Sequence, residues 1–160
     1  METNCELPLG KVFGNLAKAY ADAYTERLKG LPIDRYFYAL VVIDDYDGDL
    51  SQTTLADELL IDKAMVVRML DYLEAHDCIV REPHPKDRRA HILKLTENGR
   101  KLIPKIKKGI RETNAICGDI AANSGLKNFS GLLEEMRSAL LTQGKEAFKI
   151  HFVRNEENEK

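Results

Sequence analysis

The sequence predicts a mainly α-helical fold with one small β-hairpin, in which two short central helices precede the hairpin and further helices lie towards both termini. Three observations predict it. Apolar residues recur at intervals of three and four in several segments, which is the spacing of one helical face. Two strand-like segments flank a polar, charged stretch. With 160 residues, 44% of them hydrophobic, the chain is long enough for one domain with a substantial core.

The first two predicted helices cover residues 11–28 and about 33–45. In the first, KVFGNLAKAYADAYTERL places its apolar groups on one face, and Gly30 and Pro32 follow it. The second ends in the acidic turn DDYDGD, where Gly48 and the aspartates break the helix. Both helices therefore have sequence signals for their ends.

Two short helices come next, in close succession. Ser51 is a good N-cap for a helix from residue 52 to about 59, and Asp62 is a good N-cap for one from about 63 to 76. The second of these helices buries apolar residues on one side and leaves charged residues outward. Two short helices joined by a tight turn match a helix-turn-helix, whose second helix can lie in a groove about 12 Å wide.

The hairpin consists of strands CIVREP (78–83) and AHILKL (90–95) around the tip HPKDRR (84–89). Pro83 and Pro85 cannot donate ladder hydrogen bonds, so we expect the tip to stand off the sheet as a loop rather than pair. Such a charged hairpin beside a helix-turn-helix is a wing.

The C-terminal part of the chain predicts two more helices. Thr96 is expected to cap a long helix that starts at Glu97 and ends near Asn123. Pro104 lies inside this helix, and because proline removes a backbone hydrogen bond we expect a bend or a local break there. A last helix is predicted over about 126–142.

Positive charge is concentrated in the middle of the chain. Residues 62–108 hold 12 Lys and Arg against 7 Asp and Glu, whereas residues 1–61 hold 5 against 11 and residues 109–160 hold 7 against 8. In a chain whose net charge is −2, a local basic region favours binding to phosphates.

The order of these elements, together with DKAMVVRMLDYLEAHDCIVREPHPKDRRAHILKLTENGRKL, resembles the MarR family of winged-helix transcriptional regulators. The most specific part is DRRAHILKLTENG, while the terminal helices match by position and periodicity only. The resemblance covers almost the whole chain. It implies one MarR-like domain over 1–160, with a winged-helix region at about 33–100 and dimerisation helices at about 8–30 and 101–150.

The resemblance also implies what the protein does. We expect a cytoplasmic homodimer that binds a palindromic double-stranded DNA site and acts as a transcriptional regulator, in the first instance a repressor. The broad apolar faces of the terminal segments support a partner surface independently, because one small winged domain could not cover them.

In the wing, the resemblance assigns Arg88 and Arg89 to the position that enters the minor groove, whose narrow floor attracts guanidinium groups. In the family pattern the Asp87 carboxylate holds the second arginine, Arg89, in a fixed orientation. Three further basic side chains would contact phosphates from the wing: Arg81, His84 and Lys86.

In the second short helix, Lys63 and Arg68 are the long cations of the predicted exposed face. Arg68 could contact a guanine or a phosphate, and the sequence does not choose between them. Where the family usually has serine and threonine this chain has Ala64, Met65 and Val67, so we expect readout to rely more on methyl contacts, the wing and DNA shape.

Two smaller features belong to the same region. At the start of the bracing helix, Gln52, Thr53 and Thr54 could donate to phosphates or serve as ordinary capping residues. Asp77 stands where the family normally has glycine, and because aspartate tolerates the left-handed conformation we expect the turn to be retained.

An effector site is less visible in the sequence. In relatives a small, often aromatic or anionic ligand lies between the dimerisation helices and the winged domain. Four aromatic residues could line such a cleft or serve only as core residues: Tyr20, Tyr24, Tyr36 and Phe37.

Other chemistries have little support in the sequence. Three cysteines without a CxxC spacing predict neither a disulfide framework nor a zinc site, and Cys5 has no basic neighbour that would make it redox-reactive. No cofactor or metal is expected. The absence of catalytic motifs argues against an enzyme, and the absence of a long apolar run argues against a membrane protein.

The rival hypothesis is that the winged helix is a protein interaction module that binds DNA weakly. Salt dependence separates the two, because phosphate neutralisation makes affinity fall steeply with salt and an apolar interface does not.

Overall fold

The computed structural model of the chain describes residues 8–48, 50–84 and 87–143, without the side chains of 87–90 and 143. The element order in this part of the chain is α1 (Leu9–Arg27), α2 (Phe37–Asp45), β1 (Leu50–Ser51), α3 (Gln52–Leu59), α4 (Lys63–Ala75), β2 (Ile79–His84), β3 (Asp87–Leu95), α5 (Glu97–Asn123) and α6 (Phe129–Gln143). The predicted fold class, mainly helical with a small β-wing after a helix-turn-helix, is confirmed. No helix in the described ranges is long and apolar enough to cross a membrane.

Three of the helices begin at capping residues that the sequence predicts. Ser51, Asp62 and Thr96 each accept a hydrogen bond from the backbone N–H three residues further along, at 3.0, 2.8 and 2.9 Å respectively. Each cap satisfies one of the backbone donors that a helix start leaves without a partner. The starts of α3, α4 and α5 are therefore fixed locally.

The strands form one antiparallel sheet in the order β1-β3-β2. The predicted hairpin is present, but the prediction of a free loop over 84–89 was wrong, because β3 begins at Asp87 and His84 pairs with it after a register shift at Pro83. Pro83 is tolerated because β2 is an edge strand, where one side of the backbone needs no ladder partner.

The third strand, β1, was not predicted. Its two residues pair with Leu93 and Ile92 of β3, so the wing continues into the start of α3. A strand of two residues is too short to show the alternation from which strands are recognised.

The start of α2 and the course of α5 also differ from the predictions. The helix predicted from residue 33 begins at Phe37, because Tyr36 has the left-handed φ of 62° and a helix cannot continue through it. Of the two alternatives expected at Pro104, a bend or a local break, the break does not occur, because α5 is continuous through this residue. Pro104 is exposed while Ile103 and Ile106 are buried, so packing holds the helix together despite one lost hydrogen bond.

The core lies between α2, α3, α4, the first half of α5 and the sheet, and the end of α1 closes one side with Tyr24 and Leu28. Lys107 of α5 joins Asp44 and Asp45 at the end of α2, at 2.7 and 2.8 Å. By contrast, none of the described residues of α6 is buried. The winged-helix region therefore packs on itself, and α6 does not.

The start of α5 packs very closely against the backbone that joins α4 to β2. A Cβ on Gly99 would lie 2.0 Å from the backbone oxygen of Cys78, so only glycine lets α5 start there. Asp77 adopts the left-handed conformation, as predicted, with φ 52°. Its backbone oxygen accepts a hydrogen bond from the Thr96 hydroxyl at 2.6 Å, and its carboxylate accepts one from Asn98 at 2.6 Å.

Candidate nucleic-acid interface

The helix-turn-helix is held by its own turn. Leu60 ends α3 in the left-handed conformation, and the N–H of Ile61 donates to the backbone oxygen of Ala56 at 3.1 Å. Ile61 is buried, and Asp62 then caps α4. The angle between the two helices is thus set by a buried anchor between two capped ends.

One side of α4 seals the core and the opposite side is exposed. The buried side consists of apolar residues at helical spacing: Met65, Val66, Met69, Leu70 and Leu73. The exposed side carries the residues that could contact a ligand: Lys63, Ala64, Val67, Arg68 and Asp71. A helix packed in this way presents a continuous outer face, as a groove-binding helix must.

Met65 is a correction to the predicted site. Its side chain is 8% exposed and lies in the core, so it is not available to DNA. Met65 lies one helical turn before Met69, and both belong to the buried stripe. Lys63, Ala64 and Arg68 lie on the exposed face as predicted.

Arg81 is a second correction. It was predicted to contact phosphates near the base of the wing, but its side chain is only 20% exposed and pairs with two carboxylates of α4, Asp71 and Glu74. The distance to Glu74 is 3.3 Å. Its Nε is buried without a hydrogen-bond partner in the described part of the chain. Arg81 thus fastens β2 to α4 and neutralises negative charge beside the exposed face.

The wing places its arginines within β3. Arg88 and Arg89 are the second and third residues of this strand, between Asp87, which pairs with His84, and His91, which pairs with Pro83. Lys86 and the side chains of Asp87, Arg88 and Arg89 lie outside the described part of the chain, so the predicted role of Asp87 in orienting Arg89 stays a prediction. His84 is half-buried at the end of β2.

The start of α3 combines capping with exposure. The Thr54 and Ser51 hydroxyls lie 2.8 Å apart, and the Thr54 N–H donates to Ser51. Thr54 is therefore engaged in the cap. Thr53 is exposed and Gln52 is half-buried, so these two keep side-chain groups that could reach a phosphate.

A cluster around Tyr72 was missed by sequence reasoning. The Tyr72 hydroxyl donates to the Asp34 carboxylate at 2.8 Å and accepts from the Asp34 N–H at 3.1 Å, which joins the segment before α2 to α4. Arg35 lies over the Tyr72 ring, 4.7 Å from its centroid, and pairs with Asp34 at 2.8 Å. The Tyr72 hydrogen bond and Arg35 lower the pKa of Asp34.

Two further rings complete this cluster. Tyr36 meets Tyr72 edge to face at 5.4 Å between centroids, and the centroid of the His76 ring, at the C-cap of α4, lies 4.1 Å from that of Tyr72. The four-residue spacing of Tyr72 and His76 was the only available signal, because Asp34 and Arg35 lie 38 and 37 positions earlier in the chain.

The four predicted effector residues do not line one groove together. A groove of about 920 Å³ lies between α1, α5 and the start of α6. Of the four aromatic candidates, only Tyr20 lines it, where its hydroxyl donates to Asn114 at 2.7 Å. Tyr24 and Phe37 are buried against each other, with ring centroids 5.9 Å apart, and Tyr36 packs on Tyr72.

Tyr24 and the cysteines show no sign of a reactive or metal-binding site in the described part of the chain. The Tyr24 hydroxyl is buried without a partner in the described ranges, and burial raises its pKa, so it stays neutral. Cys117 lines the groove, Cys78 is buried and Cys5 lies outside the described residues. Among those described, no group of three or more His, Cys, Asp or Glu could hold a metal ion.

Comparison with known proteins gives a match to the winged-helix region. The family model described as MarR family matches residues 29–90, which run from just after α1 into β3. A MarR transcriptional regulator from Methanosarcina mazei Go1 is 26% identical, with a TM-score of 0.73 over 85% of this chain and 98% of that one.

Two other solved structures are similar over much the same length. The transcriptional repressor CouR, bound to a 23-mer DNA duplex, is 26% identical, with a TM-score of 0.67 over 82% of this chain and 92% of that one. The transcriptional regulator SlyA shares the fold at 19% identity, with a TM-score of 0.76 over 86% of this chain and 96% of that one.

Proposed function

We propose that this chain, a winged-helix protein of the MarR family, binds double-stranded DNA as a homodimer and regulates transcription. Each subunit places α4 in a major groove and its wing against the neighbouring minor groove. Two subunits together contact a palindromic site, and a repressor role follows where that site overlaps a promoter.

The observation that carries this proposal is the division of α4 into two faces. The buried face anchors the helix rigidly to the core, while Lys63 and Arg68 stand on the exposed face. Asp71, the acidic residue on that face, is paired with Arg81 and so repels phosphates less. The result is an exposed helix with a net positive surface, which matches the charge of DNA.

The wing supports the same partner. Its tip carries three cations within four positions, Lys86, Arg88 and Arg89, and the two arginines lie in β3 between the paired residues Asp87 and His91. An arginine from such a hairpin can enter a narrow minor groove, where the potential is most negative. The relative CouR is a repressor solved with duplex DNA, which is in keeping with this partner and this role.

The terminal helices support a dimer. Of the seventeen exposed large apolar side chains in the described ranges, twelve lie on α1, on the second half of α5, on α6 or in the loop that leads to α6. A second copy would cover this surface, because both copies carry the same apolar faces. Recognition helices about 34–36 Å apart would then contact half-sites about 10 bp apart.

Release by a small aromatic or anionic ligand is part of the proposal. The groove beside Tyr20 has apolar walls, and Asn114 and Lys127 are polar groups on its rim. Such a mixture suits an aromatic ring with a carboxylate. A screen of small aromatic acids for compounds that raise the Kd of the DNA complex tests this part.

The function is tested with a duplex selected from a random pool. We expect the logarithm of affinity to fall linearly with the logarithm of salt concentration, by a slope of several units, because phosphate contacts release counterions. A flat salt profile, or no duplex preference at low salt, would instead favour the protein interaction module.

A single substitution tests the wing. Arg89→Ala should weaken binding by about 1–3 kcal/mol, or roughly 5- to 150-fold in Kd, with the dimer still folded. Arg111→Ala, on the exposed surface of α5, removes the same charge outside the winged region and should have little effect. Equal affinities of the Arg89→Ala and Arg111→Ala proteins would contradict the wing assignment.

A further inference from the structure

We infer that Val67 and Ala64 of α4 recognise thymine in the half-site through its C5-methyl group. This inference rests on the proposed function and names the sequence preference of the same site. It begins from the exposed face of α4, where Val67 is 43% exposed in the middle of the helix.

The fold gives no reason for valine at this position. The neighbouring Val66 is almost fully buried and packs in the core, whereas Val67 faces outward. In an exposed helix position valine is a poorer helix former than alanine, so helix propensity does not favour it either. The remaining explanation for a valine at position 67 is its place on the face of α4 that would enter the major groove of DNA.

The exposed face offers few hydrogen-bonding groups for base recognition. Its donors are the cations Lys63 and Arg68, and it has no hydroxyl or amide side chain between Lys63 and Asp71. One oxygen of the Asp71 carboxylate is occupied by Arg81, which makes Asp71 a weaker acceptor for a cytosine amino group. Adenine therefore lacks its usual amide partner on this helix, and cytosine has only a carboxylate shared with Arg81.

Two kinds of base edge match what is left. The cations match the oxygen and nitrogen acceptors of guanine, and the apolar side chains match the thymine methyl, the one apolar group that a standard base pair presents in the major groove. Positive charge on both sides of the apolar pair draws the helix to DNA rather than to an apolar protein surface.

The spacing of the residues predicts where these bases lie. Ala64 and Val67 are three positions apart and share one face of the helix. Their separation along the axis is about 4.5 Å, close to the rise of about 3.4 Å per base pair. Arg68 lies one turn after Ala64. Thymines at neighbouring positions, next to a guanine, would therefore fit α4.

The experiment removes the methyl group from the DNA. Each thymine of the selected half-site is replaced in turn by deoxyuridine, which pairs with adenine in the same way but lacks the methyl, and Kd is measured by fluorescence anisotropy. At one or two positions the wild-type protein should bind the deoxyuridine duplex about fourfold more weakly, as expected for one buried methyl group.

The protein side of the test uses two matched valines. Val67→Ala should bind the thymine and deoxyuridine duplexes almost equally at one of those positions. Val80→Ala, which truncates a valine 39% exposed on the edge strand β2, should keep the full wild-type ratio. Both substitutions introduce alanine, which is tolerated in the helix α4 and at an exposed position of the strand β2.

Each outcome decides a separate claim. If the wild-type protein binds the selected duplex and deoxyuridine changes nothing anywhere in the half-site, the inference is wrong and the proposed function stands. If the ratio is present but survives in Val67→Ala, Val67 is not the reader and the assignment fails. If no duplex is bound at low salt, the proposed function and the inference fail together.

Discussion

Arg81 affects the proposed DNA-facing surface without lying on it. From β2 it pairs with Asp71 and Glu74 of α4, so one guanidinium offsets part of the negative charge of two carboxylates next to the proposed interface. Because their side chains remain 60% and 45% exposed, the stabilising effect of these pairs is screened by water. The larger consequence is for binding, since an unpaired carboxylate beside the major groove would repel phosphates.

We predict that Arg81→Ala weakens DNA binding by about 1 kcal/mol, or roughly fivefold in Kd, through exposure of Asp71. The double variant with Asp71→Ala should regain most of the lost affinity, because the repelling charge is removed as well. Binding isotherms of the two single variants and the double variant measure this coupling. A direct phosphate contact by Arg81 predicts the opposite, that Asp71→Ala gives no recovery.

For single residues, the sequence predicts contacts between groups that are close together in the chain. The caps at Ser51, Asp62 and Thr96 depend on backbone groups three residues away, so they were predicted correctly. Arg81 was misassigned because its partners lie on another element, and Met65 because the buried stripe of α4 is wider than the spacing indicated. The sequence around a residue does not indicate which side chain on another element it will contact.

The recognition helix is also fastened at its far end, through Tyr72. Its hydroxyl both donates to the Asp34 carboxylate and accepts from the Asp34 N–H, so one phenol holds the segment between α1 and α2 against α4. Arg35 covers the ring, and His76 lies against it. The segment that joins α1 to α2 is therefore attached directly to α4.

We predict that Tyr72→Phe lowers the free energy of unfolding by about 1 kcal/mol at neutral pH, with a smaller effect in acid. The Tyr72 hydrogen bond, with Arg35, holds the pKa of Asp34 below its ordinary value of 3.8. A carboxyl with a lowered pKa contributes stability above its unfolded pKa, and this contribution is lost as pH falls through the folded one.

Urea unfolding of both proteins at one fixed concentration, at pH 7 and near pH 3, measures the difference. Tyr38→Phe, at an exposed tyrosine of α2, is the control and should change little at either pH. A Tyr72→Phe effect that is the same at both pH values would show that the hydroxyl stabilises the fold through the Asp34 N–H, and not through the Asp34 carboxylate.

At the scale of elements, periodicity predicted the helices well and the sheet less well. Helices α3, α4 and α5 start where expected, because caps and apolar spacing agree there. The two-residue strand β1 and the early start of β3 come from pairing between distant segments, which no local pattern records. The left-handed Tyr36 likewise follows from contacts with Tyr72.

Considered as a whole, the described chain consists of a winged-helix body, whose core includes the end of α1 and the first half of α5, and of helical surface towards both ends that is not covered. The sequence predicted this division from the broad apolar faces at both ends. It could not predict that the described part of α6 has no buried residue, because the amount of surface left exposed depends on how α1 and α5 pack. In the proposed function, binding to two half-sites depends on this uncovered surface.

We predict that Ile120→Glu separates the dimer. Ile120 is 63% exposed on the second half of α5, one turn from the exposed Ile116, so a charge there would be buried between the subunits without a partner. The dimer Kd should rise at least 100-fold, which corresponds to about 3 kcal/mol, as measured by sedimentation equilibrium. Circular dichroism should still show the helices of the winged-helix body.

Val80→Glu is the matched control, since it introduces the same charge at an exposed valine of β2, opposite Lys94 and away from the terminal helices. It should leave the dimer intact. Because half-site recognition needs both subunits at a fixed spacing, Ile120→Glu should also lose affinity for a palindromic duplex while keeping most of its affinity for a single half-site. A wild-type monomer at micromolar concentration, or an Ile120→Glu dimer as tight as that of Val80→Glu, would place the interface elsewhere and remove the geometric basis for two-site binding.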